Sequence, residues 1–331
     1  MNILIFLIGF LLISYMITEV GKLLKIPQVV TLIISGIFLG MPYIRSLMTQ
    51  SDINVVMNIG DFGLLCLMFL AGIETKSSLL KKEFREATWV SLFAAFIPFI
   101  LGFVIFYLLG YTIYISLIVG ICLSITAEAT QARVLMDVNK LKSKIGTLIM
   151  EAGIIDDILG LGIFILITFI SKNIYLKEDL LLGATIFAFF VGVMMQKNGN
   201  HNEIIRKVEK IMYVAIVPFF FVSMGLHFDI SSLHPNKNIL LIILIIAFTG
   251  KILGPLLIKP FNKLSWKQLY LIGWAMNSRG AIELALALIA FRTKLIPLEI
   301  YSSLVVMALI TTLTFPFVIT RMIKKNPKIM N

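Results

Sequence analysis

The chain has 331 residues, of which 59% are hydrophobic and only 14% are charged. Soluble domains carry about 25% charged residues, so the composition excludes an ordinary soluble enzyme and predicts an integral membrane protein. The net charge of +11 does not predict a nucleic-acid partner, because membrane proteins retain Lys and Arg in their cytoplasmic loops. Cys66 and Cys122 lie in apolar runs and indicate neither a disulfide framework nor a metal site.

Apolar runs long enough to cross a bilayer, roughly 17–25 residues each, follow one another along nearly the whole chain. We predict an all-α protein with eleven transmembrane helices, designated spans a to k. They cover residues 2–19, 27–44, 54–73, 88–110, 112–135, 145–170, 179–196, 211–227, 239–258, 268–291 and 298–320. No basic segment precedes the first run and no small-residue cleavage site follows it, so we interpret it as a retained span rather than a signal peptide.

The basic residues between these spans are distributed unequally. One set of alternate loops holds 21 Lys and Arg residues, and the opposite set holds 6. Because basic residues accumulate in cytoplasmic loops, this asymmetry predicts an N-terminus outside and a C-terminus inside the cell.

Spans b to f and spans g to k form two sets of five with opposite predicted orientation. Local similarities follow the same order, since "LIISGIFLGM" in span b resembles "TIFAFFVGVM" in span g, and "LMFLAGIETK" in c resembles "FFFVSMGLHFD" in h. Polar residues interrupt the fourth member of each set, e and j. Inverted repeats with interrupted helices at matching positions are typical of secondary transporters and indicate where the substrate binds.

Six ionisable residues are predicted to lie at membrane depth, where each costs roughly 2.5–3.5 kcal/mol on insertion scales. They are Glu128, Asp156, Asp157, Lys251, Arg279 and Glu283. Charge pairs that only bridge helices are one interpretation. An ion or proton path is the one we favour, because intramembrane carboxylates are usually functional.

Asp156 and Asp157 are adjacent in span f, within "AGIIDDILGL". Neighbouring residues of a helix point about 100° apart, so the two carboxylates cannot share one partner. One can pair with a cation while the other faces a cavity, where a proton and a hard cation such as sodium would compete for it. Lys251, in the middle of span i, is the candidate partner of either aspartate.

The polar windows of spans e and j read "LSITAEATQARVL" and "WAMNSRGAIELALAL". Both predict local unwinding, which exposes half-helix ends with partial charges. Glu128 could neutralise a positive end and Arg279 a negative one, while the hydroxyls of Thr126 and Thr130 could help to bind a cation. Hydrogen bonds that merely pack helices together are the alternative.

These residues carry a resemblance to the cation:proton antiporters of the NhaA/NapA fold, in the branch that includes the potassium-efflux exchangers. The matching segments are "AGIIDDILGL", "TGKILG", "NSRGAIELALALIA", "VMALITTLTFP" and "PFFFVSMGLHFD". The resemblance implies that Asp157 binds the transported sodium and that Asp156 pairs with Lys251. The Asp-Asp pair with a lysine resembles the electrogenic members.

The same resemblance implies one exchanger domain over residues 1–331, in which two interrupted helices cross. Residues 82–171 and 238–323 would form the moving core of an elevator mechanism, and 1–80 with 178–232 the scaffold and the surface of a homodimer. Two departures from the family stand out. Only span g occupies a stretch where relatives usually have about two more spans, and Glu128 replaces a small hydroxyl residue or an aspartate. We also expect no nucleotide-sensing domain of the kind that many potassium-efflux relatives carry.

The sequence thus predicts a sodium/proton antiporter, without catalytic residues or a cofactor, in the lipid bilayer of a prokaryotic cell membrane. A potassium/proton antiporter of the same fold is the nearest alternative, and a sodium-coupled transporter of organic solutes is a more distant one. An aspartyl protease is disfavoured, because its two carboxylates must face each other from separate elements, whereas Asp156 and Asp157 are adjacent.

Overall fold

The computed structural model describes residues 3–24, 26–46, 48–74, 84–170, 176–197, 203–228, 231 and 237–330, and these residues form helices and no strand. The α-helices are α1 (Ile3–Leu23), α2 (Gln28–Leu39), α3 (Pro42–Arg45), α4 (Gln50–Glu74), α5 (Phe84–Leu108), α6 (Ile113–Ser124), α7 (Glu128–Asp137), α8 (Lys144–Ile170), α9 (Leu176–Lys197), α10 (Glu203–Ile211), α11 (Val217–His227), α12 (Lys237–Leu257), α13 (Trp266–Ala275), α14 (Ala281–Arg292) and α15 (Leu298–Lys325). A π-helical turn, Met212–Ile216, joins α10 to α11, and short 3₁₀ turns cover Lys259–Phe261 and Pro327–Met330. The prediction of an all-α protein is confirmed.

Each of the eleven predicted spans contains helix in the structure. Within the described ranges, five helical stretches are long and apolar enough to cross a membrane: Gln50–Ile73, Phe84–Leu108, Lys207–His227, Asn238–Phe261 and Leu298–Lys325. Three further apolar helices are shorter, at Gln28–Leu39, Ile113–Ser124 and Gly183–Met195. The total of eleven spans and their orientation stay predictions.

The chain divides into two compact units. The first comprises Met1–Thr75 and Leu176–Asp229, and thus α1 to α4 and α9 to α11. The second comprises Lys76–Tyr175 and Ile230–Asn331, and thus α5 to α8 and α12 to α15. These ranges lie close to the segments predicted for scaffold and core, while the roles of the two units stay a prediction.

Glycines bring two pairs of helices into close contact within the first unit. A Cβ atom added to Gly36 of α2 would overlap the backbone of α11 and lie 2.8 Å from the Cα of Gly225. A Cβ atom added to Gly72 of α4 would overlap the backbone of α9 and lie 3.1 Å from the Cα of Gly192. Small residues allow such approach between membrane helices, where van der Waals packing supplies much of the association energy.

The second unit contains two interrupted helices, as the sequence predicts for spans e and j. The first break separates α6, which ends at Ser124, from α7; the second separates α13, which ends at Ala275, from α14. The two breaks contact each other, because the N–H of Ala127 donates to the carbonyl of Ser278 over 2.8 Å and the hydroxyl of Ser278 donates to the carbonyl of Ala127 over 2.8 Å. Backbone groups freed by the unwinding are thereby satisfied, as a lipid environment requires.

An apolar cluster holds the second unit together beside these breaks. It combines buried residues of α5, α7, α8, α13 and α15 with Ile329 and Met330 from the last 3₁₀ turn. Met330 has no exposed surface, so the end of the described chain packs against helices that position the candidate site.

Candidate functional site

Lys251 and Asp156 form an ion pair inside the second unit. The Nζ atom of Lys251, on α12, lies 3.1 Å from Oδ2 of Asp156, on α8, and neither side chain exposes any surface. The lysine also donates to the hydroxyl of Thr126 over 2.7 Å and to the backbone carbonyl of Ser124. Three oxygen atoms from two segments of the chain therefore surround one buried ammonium group.

Thr126 connects this ion pair to the second interrupted helix. It lies in the break between α6 and α7 and is buried. Its hydroxyl accepts from Lys251 and donates to the carbonyl of Met276 over 3.2 Å. The unwound segments of both interrupted helices therefore take part in positioning the lysine.

Asp157 follows Asp156 on α8 but occupies a different environment. Asp156 is fully buried, whereas Asp157 is partly buried. The Oδ1 atom of Asp156 accepts no hydrogen bond from the part of the chain that the structure describes. Asp156 is thus held against a cation, whereas the adjacent Asp157 is less deeply buried.

Arg279 binds the end of the half-helix α6. Its guanidinium group donates to the carbonyls of Cys122 over 3.4 Å, Leu123 over 2.7 Å and Ile125 over 2.5 Å. These are among the last carbonyls of α6, which carry the negative end of the helix dipole. The arginine lies in the break before α14, so each interrupted helix supplies groups that stabilise the break in the other.

Glu283 lies beside Arg279 without a hydrogen bond to it. One carboxylate oxygen is 3.7 Å from the nearer terminal nitrogen of Arg279, and the glutamate is only 1% exposed. Among the described residues, no group donates a hydrogen bond to either oxygen of Glu283. The association is therefore electrostatic, because the guanidinium donors are directed at α6.

Two further predicted residues, Glu128 and Thr130, lie on α7. Glu128 is its first residue and is partly buried, where a carboxylate complements the positive end of a helix. Thr130 is also partly buried, and no hydrogen bond within the described residues joins it to Lys251 or Asp156. The structure therefore places Thr126, but not Thr130, directly at the ion pair.

Sequence reasoning assigned no role to two polar residues that the structure places at these breaks. The side-chain amide of Gln131 on α7 donates to the carbonyl of Ala275 over 2.9 Å. The hydroxyl of Thr312 on α15 donates to the carbonyl of Arg279 over 2.9 Å. Gln131 lies inside the polar window of span e, and Thr312 lies inside the quoted segment "VMALITTLTFP", so these two patterns were the available signals.

Comparisons with known proteins identify the family and the fold. The sequence profile of the transmembrane sodium/hydrogen exchanger family matches residues 8–187 and 161–325. A Na⁺/H⁺ antiporter of Enterococcus hirae is 26% identical over 383 residues, covering 96% of this chain and 98% of that protein. The alignment is longer than the 331 residues of this chain, so the relative has stretches without a counterpart here.

A longer plant protein and a solved structure are also similar. Cation/H⁺ antiporter 17 of Arabidopsis thaliana is 24% identical over 93% of this chain, which spans only 47% of that relative. The structure of the sodium proton antiporter MjNhaP1 from Methanocaldococcus jannaschii covers 98% of both chains with a TM-score of 0.68, at 16% identity. At that identity the likeness concerns the fold alone.

The family match extends over nearly the whole chain and includes both interrupted helices. With the apolar helices, it confirms the prediction of a multi-pass protein in a cell membrane. The chain therefore belongs to the sodium/hydrogen exchanger family.

Proposed function

We propose that this protein is a secondary active transporter that exchanges sodium for protons across the membrane, with proton and cation competing for Asp157. The observation that carries the proposal is that the two adjacent aspartates of α8 lie in different environments. Asp156 is fully buried against Lys251 at 3.1 Å, while the adjacent Asp157 is only partly buried. One carboxylate is thereby paired with a cation, and we assign the exchangeable ligand to the other.

Competition at one carboxylate is sufficient for coupled exchange. Burial favours the protonated acid and a bound cation favours the carboxylate, so the group holds a proton or a sodium ion but not both. If two protons exchange for one sodium ion, each cycle moves one net charge, which is worth about 2.3 kcal/mol per 100 mV of membrane potential. The ammonium of Lys251 is the candidate for the second proton site, because it is buried directly against Asp156, next to Asp157.

We further propose that the second unit moves as the core of an elevator and that the first unit is the scaffold of a homodimer. The glycine contacts of the first unit support an inverted repeat. One contact pairs Gly36 of span b with Gly225 of span h, and the other pairs Gly72 of span c with Gly192 of span g. In the proposed repeat, b corresponds to g and c to h, so a two-fold axis would exchange the two contacts.

The test is proton flux in proteoliposomes that contain a pH-sensitive dye and the full chain. A sodium gradient should drive proton movement in the wild type, and Asp157→Asn should abolish it. Asp137→Asn is the matched control, because that aspartate is exposed on α7 in a pair with Arg133. Sodium-driven flux in Asp157→Asn at the wild-type rate would refute the assignment of the site.

The same vesicles decide between the cations. Potassium in place of sodium tests the potassium/proton alternative, and lithium tests how narrowly the site selects by size. A sodium-coupled transporter of organic solutes would accumulate a solute without exporting protons, so absence of proton flux under every cation gradient would favour that alternative.

A further inference from the structure

Gln131 has one side-chain atom whose surroundings the proposed mechanism does not explain. The residue is on α7 and exposes no surface. Its Nε2 atom donates to the carbonyl of Ala275 over 2.9 Å and contacts the sulfur of Met276 at 3.7 Å. Since a backbone carbonyl only accepts hydrogen bonds, the orientation of the amide is fixed, with Nε2 toward α13 and Oε1 on the opposite side.

The Oε1 atom is directed at α8. A Cβ atom built on Gly153 would lie 3.1 Å from it. Oε1 accepts no hydrogen bond from the residues that the structure describes. A buried carbonyl oxygen without a donor is unfavourable, so a partner that supplies positive charge would be favoured here.

Gly153 lies one helical turn before Asp157, on the same face of α8. Four residues correspond to about 6 Å along the axis. Helical side chains lean toward the N-terminus of their helix, so the carboxylate of Asp157 covers the turn that contains Gly153. The amide oxygen therefore lies against the helical turn that precedes the proposed cation-binding carboxylate.

Glu128 lies beside this turn as well. It precedes Gln131 by three residues on α7, and the same hypothetical Cβ of Gly153 would lie 3.5 Å from its Cγ and 3.6 Å from its Cβ. Gly153 lets two oxygen-bearing side chains of α7 lie close to α8. Amide and carboxylate oxygens are the ligands that hard cations prefer.

We propose that Gln131 is a further ligand of the transported cation: its Oε1 atom binds a partly dehydrated sodium ion beside the turn of α8 that runs from Gly153 to Asp157. This inference rests on the proposed exchange of sodium for protons. A neutral oxygen suits this position, because it stabilises a cation without adding another charge that must be neutralised when the site is empty. The competing hypothesis is that Gln131 only ties α7 to α13 through Ala275.

Two variants separate these hypotheses. Gln131→Met removes the amide oxygen together with the hydrogen bond to Ala275. Gly153→Ala leaves the amide of Gln131 in place but puts a methyl group 3.1 Å from Oε1, where it crowds the oxygen that would bind the ion. Thr293→Val is the matched control, because it removes a buried side-chain bond to a backbone carbonyl, that of Ile289 over 2.8 Å, at the end of α14 opposite the break.

The measurements are the sodium concentration for half-maximal proton flux in proteoliposomes and the rise in melting temperature that sodium causes in purified protein. Loss of a polar contact to a charge predicts that Gln131→Met and Gly153→Ala raise half-saturation about tenfold and reduce the sodium-dependent melting shift. The maximal rate should stay near that of the wild type, and Thr293→Val should retain wild-type half-saturation.

Wild-type half-saturation in Gly153→Ala and Gln131→Met would overturn the inference while the proposed function stands. If Gln131→Met does not fold, Gly153→Ala decides alone. A wild-type protein without sodium-dependent proton flux or a sodium-dependent melting shift would instead overturn both the proposed function and the role of Gln131.

Discussion

The ammonium of Lys251 and the carboxylate of Asp156 meet at 3.1 Å across 95 residues of sequence, and both side chains are completely buried. Taking two charges out of water is costly, and their attraction repays this only when hydrogen bonds complete the site. The additional bonds from Lys251 to Thr126 and to the carbonyl of Ser124 meet that requirement. Removing one partner should therefore cost more than removing both.

The first prediction concerns this pair. Asp156→Asn leaves the buried ammonium without a countercharge, and loss of one partner of a buried pair costs about 3–5 kcal/mol. The double variant Asp156→Asn with Lys251→Met should melt closer to the wild type than Asp156→Asn alone. Thermal unfolding of the purified protein in detergent, monitored for the four members of the cycle, measures the coupling.

The exposed pair of α7 is the control for that cycle. The Nε atom of Arg133 lies 3.3 Å from a carboxylate oxygen of Asp137, with both side chains largely exposed. Such pairs contribute about 0–1 kcal/mol, so Asp137→Asn should shift the melting temperature little. Equal destabilisation by Asp137→Asn and Asp156→Asn would contradict the importance of burial.

The second prediction concerns the contact between α4 and α9. A Cβ atom on Gly192 would overlap the carbonyl oxygen of Phe69, whereas one on Gly183 of the same helix would meet nothing within 4 Å. Gly192→Leu should therefore force α9 away from α4 and cost about 1–3 kcal/mol or more. Gly183→Leu should keep the wild-type melting temperature. If the two leucine variants have the same melting temperature, α9 does not pack against α4 as the structure indicates.

The position of the breaks could be predicted from sequence, because polar residues within an apolar run mark the places where a helix in lipid can unwind and still satisfy its backbone. Thr126 and Glu128 mark the first break, and Asn277 and Arg279 mark the second. Asp156 and Lys251 could be named because charges at membrane depth are rare and need partners. Their pairing, however, came from the resemblance to a family, since either aspartate satisfied the reasoning from residues.

The acceptors of Arg279 could not be predicted in the same way. Its donors reach the carbonyls of Leu123 and Ile125, and backbone carbonyls have no signature in a sequence. Gln131 is a similar case. A neutral amide is less conspicuous in a membrane span than a charged residue, and only the fold shows that its oxygen faces Gly153. Hydropathy thus identifies which polar residues lie within the membrane spans. Their hydrogen-bond partners depend on how segments distant in the sequence pack together.

The third prediction is a pH dependence at the connection between α5 and α6. The hydroxyl of Tyr111 donates to a carboxylate oxygen of Glu299 over 3.1 Å. Burial, and then the negative charge of Glu299, raise the pKa of Tyr111 from 10.0 to about 12. Because the folded protein holds this proton more tightly than the unfolded chain, the contribution is complete below pH 10 and is lost as pH rises toward 12.

The check is the melting temperature as a function of pH for the wild type and Tyr111→Phe. Lysines also titrate in this range, so the difference between the two curves is the relevant quantity. That difference should stay constant below about pH 10 and shrink as the pH rises toward about 12. Tyr43→Phe, at a residue with 81% exposure, is the control and should follow the wild-type curve throughout.

The fourth prediction separates the roles of Arg279 and Glu283. The guanidinium directs three hydrogen bonds at the end of α6. Lysine keeps the charge but lacks the planar fork, so Arg279→Lys should lose at least one charge-assisted bond, about 1.5–3 kcal/mol. Glu283 accepts no hydrogen bond from the described residues and lies 3.7 Å from the arginine, so Glu283→Gln should melt closer to the wild type. If Glu283→Gln is the more destabilised, the carboxylate rather than the end of α6 holds Arg279 in place.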